Sequence, residues 1–387
     1  MGLAHSPANL YYQDVKREGS VSATRGTPKY KQIYDSLQKA ISSGQYAPRQ
    51  RLPSESELGA AHGASRITVN RALRDLQVEG VIERRAGSGS FVKPSTTMGC
   101  NFGLLIPELG ETEIFEPICR GMVEGRARSG HVLMWGQPVS NADAKEPLAE
   151  DLCHQFIAKK AAGVFFAPLE LTPGKDAVNR RIAGALDRAG IPVVLLDRDL
   201  DAYPKRSRYD LIGIDNRRAG YAITLHLIGH GCRRVVFIGR PRSAATVEAR
   251  ISGYREALHD GGLETNPDYI RRIQPWDEIE VHRMVKQIRP DGIVCANDFT
   301  AAHILRTFGS LGIRVPDDVR IVGIDDVKYA SLLPVPLTTI HQPCHEIGSA
   351  AMAAMSDRLA NSDLPARDIL LDFRIVVRKS CGGDSGG

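Results

Sequence analysis

Three short motifs within residues 52–92 combine residue types that can bind DNA. The first, Leu-Pro-Ser-Glu-Ser-Glu-Leu, spans residues 52–58 and places Ser54 three residues before Glu57, the spacing of a helix capping box. The second is Ser-Arg-Ile-Thr-Val-Asn-Arg-Ala-Leu at residues 65–73, and the third is Gly-Ser-Gly-Ser-Phe-Val at residues 87–92. Arginine and asparagine contact guanine and adenine edges, with roughly 1–3 kcal/mol of discrimination for each bidentate pair.

These motifs predict two helices and a hairpin. One helix begins at Ser54 and ends at Gly63, and a second begins at Ser65 and continues to about Glu79. Two strands, residues 81–84 and 90–92, enclose a tip without bulky side chains that can approach a sugar-phosphate backbone. Taken singly, each motif also has an ordinary structural explanation: a helix start, a solvated basic face or a simple turn. Their order and spacing favour a winged helix-turn-helix.

From Pro28 to Val92 the chain resembles the GntR family of bacterial transcription regulators, including Pro-x-Tyr-x-Gln-Ile at residues 28–33 and Ile-x-x-Gly at residues 41–44. Two positions depart from the family pattern: Arg49 stands where glycine is usual, and Asn70 stands where many members have arginine. An operator sequence therefore cannot be transferred from relatives. Together the motifs and the resemblance predict a DNA-binding set of Ser54, Ser65, Arg66, Thr68, Asn70, Arg71, Arg74, Gly87 and Ser88.

The distribution of charge agrees with a polyanionic partner for the first part of the chain. Residues 1–99 contain 14 Lys and Arg against 8 Asp and Glu, a net charge of +6, whereas the remaining residues contain 36 against 37. The basic residues are spread over a patterned unit and form no polybasic run, which disfavours a membrane-surface partner. Without a long apolar stretch or a signal-like N-terminus, we expect a soluble, cytoplasmic protein.

The cysteines do not predict a metal site. The seven cysteines include no Cys-x-x-Cys motif, and we expect them to be reduced and mostly buried. Neither a metal ion nor a cofactor is therefore expected.

A chain of 387 residues is too long for one winged helix. We expect a flexible N-terminal tail at residues 1–26, the winged helix at 27–93, a linker at 94–100, a large domain at 101–380 and a flexible tail at 381–387. From residue 101 onward, short apolar runs alternate with amphipathic helices, which predicts an α/β fold of doubly wound parallel sheets in two lobes. The expected lobes comprise about 101–232 with 327–342, and 233–326 with 343–380.

Polar pairs follow four of the predicted strands in this large domain: Asp197-Arg198, Asp215-Asn216, Asn297-Asp298 and Asp325-Asp326. Ligands of doubly wound sheets bind beyond the carboxyl ends of the strands. Carboxylate, amide and guanidinium groups suit the adjacent hydroxyls of sugars and polyols. A single aspartate at a strand end is, however, more often a helix cap or a loop anchor.

Residues 100–380 resemble the LacI/GalR regulator core, whose fold is that of periplasmic sugar-binding proteins. The resemblance rests on residues 118–121, 190–198, 215–231, 250–254, 297–298 and 322–326, and on Leu-Thr-Thr-Ile-His-Gln-Pro at residues 337–343. It implies a ligand-binding set of Thr112, Phe115, Asp197, Arg198, Asp215, Arg250, Trp276, Asn297, Asp325 and Gln342. Thr112 and its neighbours depart from the usual Asn-Pro-Phe-Phe. Asn216 and Asp298 are equally well interpreted as helix caps, and Arg250 has a surface salt bridge as its alternative.

A GntR-type DNA reader joined to a LacI-type sensor is similar to the architecture of arabinose-repressor-like regulators. The sequence therefore predicts a homodimeric repressor that binds a pseudo-palindromic DNA operator and is released by a small effector, most simply a monosaccharide. The same architecture could instead serve a corepressor-dependent repressor or an activator with a nucleoside or phosphosugar effector. A binding module without a DNA role and a hydrolase are alternatives of another class. Neither a nucleotide-binding loop nor a nucleophile elbow occurs, and no enzymatic activity is expected.

Overall fold

The computed structural model describes residues 28–42, 45–46, 49–78, 80–85, 87–93, 100–107, 113–124, 130–135, 145–202 and 204–383. The chain divides into two compact units, Met1–Ser95 and Thr96–Gly387. The predicted N-terminal tail and nearly all of the predicted linker lie outside the described residues. No helix in the described ranges is both long and apolar enough to cross a membrane.

The first unit is a winged helix-turn-helix, as predicted. Ser54 forms the expected capping box with Glu57, and Gly63 ends the same helix in the left-handed conformation at φ 56°. The apolar faces of the three helices pack around Ile33, Val69 and Leu73, all of which are buried. The elements are α1 (Lys29–Ser42), α2 (Glu55–His62), α3 (Arg66–Val78) and the antiparallel strands β1 (Ile82–Arg85) and β2 (Gly89–Val92).

The second unit contains two six-stranded sheets, each covered by helices. The sheet of lobe 1 is parallel throughout the described pairings and has the order β13-β7-β6-β5-β3-β4. Its strands are β3 (Asn101–Leu105), β4 (Val132–Trp135), β5 (Gly163–Phe166), β6 (Val193–Leu196), β7 (Asp210–Ile214) and β13 (Asp368–Leu371). Helices α4 (Phe115–Glu124), α5 (Lys145–Ala158), α6 (Lys175–Arg188) and α11 (Cys344–Ala360) pack with this sheet or with one another.

The sheet of lobe 2 has the order β14-β12-β11-β10-β8-β9, in which only β14 runs antiparallel to its neighbour. Its strands are β8 (Val235–Gly239), β9 (Ile270–Arg272), β10 (Gly292–Cys295), β11 (Arg320–Asp325), β12 (Thr338–His341) and β14 (Arg374–Val376). Its helices are α7 (Asn216–Gly229), α8 (Ala245–Asp260), α9 (Glu278–Ile288) and α10 (Asp298–Leu311), with short 3-10 helices at Pro267–Tyr269, Lys328–Ser331 and Lys379–Cys381.

The expected division between the lobes is wrong in its second half. Residues 338–341 were expected in lobe 1, but β12 pairs with β11 in the sheet of lobe 2. Helix α11 was expected in lobe 2, but it packs against α4 of lobe 1. The chain crosses between lobes at residues 214–216, 341–344 and 371–374, so both lobes are built from separated segments. The predicted tail at 381–387 also begins too early, because Cys381 is fully buried.

Glycines allow two helix pairs of this unit to pack with their backbones in contact. A Cβ on Gly121 of α4 would lie 1.9 Å from the carbonyl oxygen of His345 in α11. A Cβ on Gly253 of α8 would lie 1.8 Å from the carbonyl oxygen of Arg217 in α7. These positions therefore exclude any side chain.

Candidate DNA-binding surface and interlobe site

The start of α3 presents the polar face that the sequence predicts. Ser65 caps the helix, with its hydroxyl 3.4 Å from the backbone nitrogen of Thr68 and 2.9 Å from the hydroxyl of Thr68. The side chain of Arg66 is 85% exposed and therefore accessible to DNA. Ile67, which the sequence analysis did not single out, is 83% exposed. An exposed apolar side chain here can contact a thymine methyl group.

Glu55 organises the polar side chains around this face. Its carboxylate accepts from Nε of Arg66 at 2.9 Å and from Nη2 of Arg84 at 2.5 Å. Nη1 of Arg84 donates to Oδ1 of Asn70 at 2.9 Å, so the Asn70 amide is engaged within the protein and half-buried. Sequence reasoning missed Glu55 and Arg84 because an acid near DNA and an arginine in a strand carry no local signal.

The remaining predicted DNA-binding residues are placed differently from one another. Arg71 lies over the ring of Tyr30, with 4.0 Å between the guanidinium carbon and the ring centroid, and Arg74 is exposed. Gly87 and Ser88 are exposed at the wing tip, where Gly87 has a φ of 74°. Ser54 serves as the N-cap of α2.

On the lobe 1 side of the cleft, Arg198 is buried and forms an ion pair with Glu170. Its guanidinium lies 5.5 Å from the ring centroid of Phe115, which is also fully buried. Glu170 additionally accepts from the backbone N–H of Ala244 in lobe 2 at 2.9 Å, and the N–H of Leu171 donates to the carbonyl of Arg242 at 2.8 Å. Glu170, which the sequence analysis missed, therefore connects the two lobes.

On the lobe 2 side, Arg250 is buried and not a surface residue. Its Nε donates to Oδ1 of Asn216 at 2.8 Å, and its Nη1 donates to the carbonyl of Ala296 at 2.5 Å. Its Nη2 lies 3.8 Å from Oδ1 of Asp325, which also accepts from Nε2 of Gln342 at 2.8 Å. The structure thus brings together Arg250, Asp325 and Gln342 as predicted and adds Asn216.

Two buried oxygens of the cluster, Oδ1 of Asp197 and Oε1 of Gln342, have no hydrogen-bond partner among the residues that the structure describes. Burial raises the pKa of Asp197, against the opposing charges of Arg198 and Arg250. Burial also raises the pKa of Asp325 well above its usual range. Burial alone would raise the pKa of Glu170, but Arg198 and the N–H of Ala244 hold that pKa below its usual range. Buried unsatisfied acceptors are suited to hydroxyl donors of a ligand.

Asp215 and Asn297, which were predicted to bind ligand, act as helix caps. The sequence allowed this role for Asn216 and Asp298, the residues that follow them. Asp215 accepts from the N–H of Arg218 at 3.0 Å, and Asn297 accepts from the N–H of Thr300 at 3.0 Å. Asp298 is instead fully buried and accepts from the hydroxyl of Thr339 at 2.5 Å. Burial raises the pKa of Asp298 to about 7.

Trp276 lies in an aromatic cluster of lobe 2 and is 46% exposed. Its ring is 6.4 Å from that of Phe299 and 5.2 Å from that of His303, between centroids. The guanidinium of Arg240 lies 5.2 Å from the centroid of Trp276 and 5.1 Å from that of Phe299. Thr112 lies outside the described residues.

A cavity of about 390 Å³ opens between the lobes. Of the predicted ligand-binding residues that the structure describes, Arg198 alone lines it, together with Asp176, Asp199, Ser243 and Glu248 from the two lobes. This volume falls within the range of sites for small polar molecules. The other described residues of the predicted ligand-binding set therefore do not line this cavity.

Residues 29–92 match the family model of bacterial regulatory proteins of the gntR family, and residues 224–381 match that of the periplasmic binding protein-like domain. The arabinose metabolism transcriptional repressor of Geobacillus stearothermophilus is 27% identical over 370 residues, which cover 91% of this chain and 97% of the repressor. The HTH-type transcriptional repressor PurR of Pasteurella multocida is 26% identical, over 75% of this chain and 83% of PurR.

Among solved structures, the complex of the transcriptional regulator CelR with cellobiose superposes on this chain with a TM-score of 0.62 and 21% identity. The superposition covers 85% of this chain and 100% of the CelR chain. The fold of this chain is thus that of LacI-type regulators. The chain thus contains a winged helix-turn-helix region that matches the gntR family model and a second region that matches the periplasmic binding protein-like model, and it is similar to the arabinose repressor over nearly the whole length of both chains.

Proposed function

We propose that this protein is a transcriptional repressor that binds a specific DNA operator and is released by a small polyhydroxylated effector bound between its lobes. The observation that carries the proposal is a buried cluster of charged residues where the two lobes meet, formed by Arg198, Arg250, Asp197 and Asp325. The same chain presents an exposed winged-helix face. The names of the two repressor relatives support the same role. Such a protein acts in the cytoplasm, where its operator lies.

On the DNA side, we assign base or phosphate contacts to Arg66, Thr68 and Arg74, with Ser65 at the helix start and the Gly87–Ser88 tip against the backbone. Asn70 is instead assigned the role of positioning Arg84, because its side-chain carbonyl accepts a hydrogen bond from the Arg84 guanidinium. A homodimer would place two copies of α3 about one DNA turn apart on a pseudo-palindrome. The half-exposed apolar side chains of Val132 and Trp135 on the edge strand β4 are available for assembly.

On the effector side, the free oxygens of Asp197 and Gln342 are assigned to accept from ligand hydroxyls, and Arg198 to donate to them. We propose binding and not catalysis for this site, because the carboxylates of Glu170 and Asp325 are already held by Arg198 and Gln342. A ligand there would change the contacts that hold the lobes together. A coupling free energy of about 1–3 kcal/mol would weaken operator binding about 5- to 150-fold.

A purine or nucleoside effector is the second candidate. Trp276 offers a half-exposed ring, with the guanidinium of Arg240 about 5 Å from its centroid and from that of Phe299, and such an aromatic surface suits a flat heterocycle. With such a ligand, the same site could strengthen operator binding instead of releasing it.

A thermal-shift panel of aldoses, ketoses, polyols, phosphosugars, nucleosides and purines separates the two candidates. A ligand at 100 times its Kd stabilises the folded state by about 2.7 kcal/mol. The proposal expects a selective shift with a sugar or polyol, followed by loss of operator binding with the same compound. A shift with purines alone would replace the sugar by the second candidate, and no shift with any compound would contradict the sensor assignment.

The operator is obtained by selecting tight-binding DNA from a random-sequence library with the wild-type protein. Arg66→Ala should weaken binding to the selected DNA about 5- to 150-fold, since one base or phosphate contact contributes about 1–3 kcal/mol. Its effector affinity should be unchanged. Lys31→Ala removes a positive charge from α1 of the same unit and is the matched control. Equal losses in the two variants would contradict the assignment of α3.

A further inference from the structure

A cluster of two imidazoles and one thiol lies at the C-terminal end of α7, apart from the cleft residues. His226 and His230 are one helical turn apart, and Cys381 belongs to the 3-10 helix Lys379–Cys381. Nε2 of His226 lies 3.4 Å from Sγ of Cys381, and the two imidazole centroids are 4.3 Å apart. One nitrogen or sulfur atom from each of the three residues lies within 4.8 Å of the others.

The separation of nitrogen and sulfur matches a shared metal ligand sphere. Zinc binds imidazole nitrogen at about 2.0–2.1 Å and thiolate sulfur at about 2.3 Å, which places the two ligands of a tetrahedral site about 3.5 Å apart. The observed distance between Nε2 of His226 and Sγ of Cys381 is 3.4 Å. These two groups therefore need almost no movement to bind one ion.

Hydrogen bonds around His230 and Cys381 are those expected of metal ligands. Nδ1 of His230 lies 2.9 Å from the carbonyl oxygen of His226, which can only accept, so in the neutral ring this contact favours the tautomer with the proton on Nδ1 and the lone pair on Nε2. A ring nitrogen that donates to a backbone carbonyl is the usual outer contact of a metal-binding histidine. The hydroxyl of Thr338 lies 3.1 Å from Sγ of Cys381, where it can donate to a thiolate.

We propose that His226, His230 and Cys381 form a binding site for zinc or a closely similar divalent transition metal. Two imidazoles and a thiolate are ligands that such ions prefer over the hard cations magnesium and calcium. Gly383 contributes no side chain beside the cluster, where a Cβ would lie 3.3 Å from Sγ of Cys381 and 3.6 Å from Nε2 of His230. The ion would fasten the C-terminal segment to α7 within lobe 2.

The proposal departs from the expectation, drawn from the sequence, that no metal ion is bound. The His226-x-x-x-His230 spacing places two imidazoles on one helix face and was itself a usable signal. The third ligand follows His226 by 155 residues, and only the fold brings it to the helix.

Cobalt titration of the full-length protein tests the site. The protein is first stripped of metal with a chelator and kept reduced, and Co²⁺ is then added while the near-ultraviolet absorption of the cobalt-thiolate bond is recorded. The proposal expects one Co²⁺ per chain, displaced by one equivalent of Zn²⁺. Cys381→Ser should abolish the thiolate band, and His230→Ala should weaken binding at least about 100-fold, the upper end of the effect of losing an outer contact.

Two variants serve as controls. Cys153→Ser removes a buried thiol of lobe 1, and His259→Ala removes an exposed histidine of lobe 2, so both should keep wild-type cobalt binding. Because Cys381 is buried, its variant is checked by circular dichroism and gel filtration. If Cys381→Ser does not fold, His230→Ala tests the metal site in its place, because His230 is only half-buried. Absence of a thiolate band in the wild type, or wild-type affinity in folded His230→Ala, would overturn the proposal.

Discussion

Gln342 donates its side-chain amide to Oδ1 of Asp325 over 2.8 Å and thereby joins a crossing between the lobes to the buried charge cluster. Gln342 lies between β12 of lobe 2 and α11 of lobe 1, where the chain changes lobe. Asp325 ends β11 and lies 3.8 Å from Arg250. A ligand that competes for Asp325 would therefore act directly on a segment that connects the lobes.

Replacing Gln342 by leucine keeps most of the side-chain volume and removes this hydrogen bond. Asp325 would lose its amide donor while staying buried, so we expect the free energy of unfolding to fall by about 1–3 kcal/mol in urea titrations. Gln287→Leu, on the exposed surface of α9, is the matched control and should stay within about 0.5 kcal/mol of the wild type. Equal effects of the two substitutions would show that the amide contributes nothing specific.

Glu55→Gln tests how the recognition surface is organised. The substitution removes the negative charge that holds Arg66 and Arg84 and that repels DNA phosphates. We expect binding to random DNA to strengthen and the ratio of specific to nonspecific affinity to fall about tenfold, a loss of about 1.4 kcal/mol in discrimination. Gel shifts with selected and random duplexes at one salt concentration measure both affinities.

Glu83→Gln is the control for charge alone, because Glu83 pairs with Arg85 in the same unit. Glu83→Gln should raise the affinities for selected and for random DNA together and preserve their ratio. A preserved ratio in Glu55→Gln as well would mean that Glu55 does not orient the neighbouring arginines.

Gly121→Ala should separate α4 from α11 in lobe 1. The new methyl group would lie 1.9 Å from the carbonyl oxygen of His345, so the helices must move apart. Overpacking of this kind costs about 1–3 kcal/mol, measured by thermal or urea unfolding. Gly309→Ala in α10 meets no atom within 4 Å and should instead stabilise the protein by about 0.5–1 kcal/mol. The same sign for both variants would contradict the packing argument.

Asp298 should make stability depend on pH. Its pKa in the folded protein is about 7, above its ordinary value of 3.8, so the folded state binds this proton more tightly than the unfolded state. The contribution is therefore most favourable below about pH 4 and is lost as the pH rises through 7. Asp298→Asn cannot titrate, and the wild type should lose stability relative to this variant between pH 5 and pH 8.

Urea titrations at the two pH values measure that difference, and comparison of the two proteins cancels the titration of groups that do not interact with Asp298. Asp317→Asn, at an exposed position, is the matched control and should follow the wild type across the range. A constant difference between wild type and Asp298→Asn would contradict the assignment.

Local signals were sufficient to predict the winged helix, because a capping box, a left-handed glycine and a hairpin depend on residues near one another. The placement of Asp325 was also predictable, since parallel strands bring their carboxyl ends to one edge of a sheet. Arg250 lies in helix α8 and was expected near Asp325 only because of the resemblance to the LacI/GalR core. Asp215 and Asn297 were expected to bind ligand, but each caps a helix. The exact first residue of a helix decides which of two neighbouring polar residues becomes the cap, and the sequence does not show that residue.

Other features depend on contacts between distant segments and had no local signal. Glu170 acquires its role only through Arg198 and the backbone of Ala244 in the other lobe. The division of the lobes was wrong because strand pairing, and not sequence order, decides that β12 joins lobe 2 and that β13 joins lobe 1.

The three crossings have a consequence for biosynthesis. A nascent chain that has emerged only to Pro343 still lacks α11 and β13, which belong to lobe 1, and β14, which completes the sheet of lobe 2. Lobe 1 is complete only at Leu371 and lobe 2 only after β14, whereas the winged helix is complete within the first 95 residues. Premature termination before β13 would therefore yield a chain with a whole winged helix and two unfinished sensor lobes.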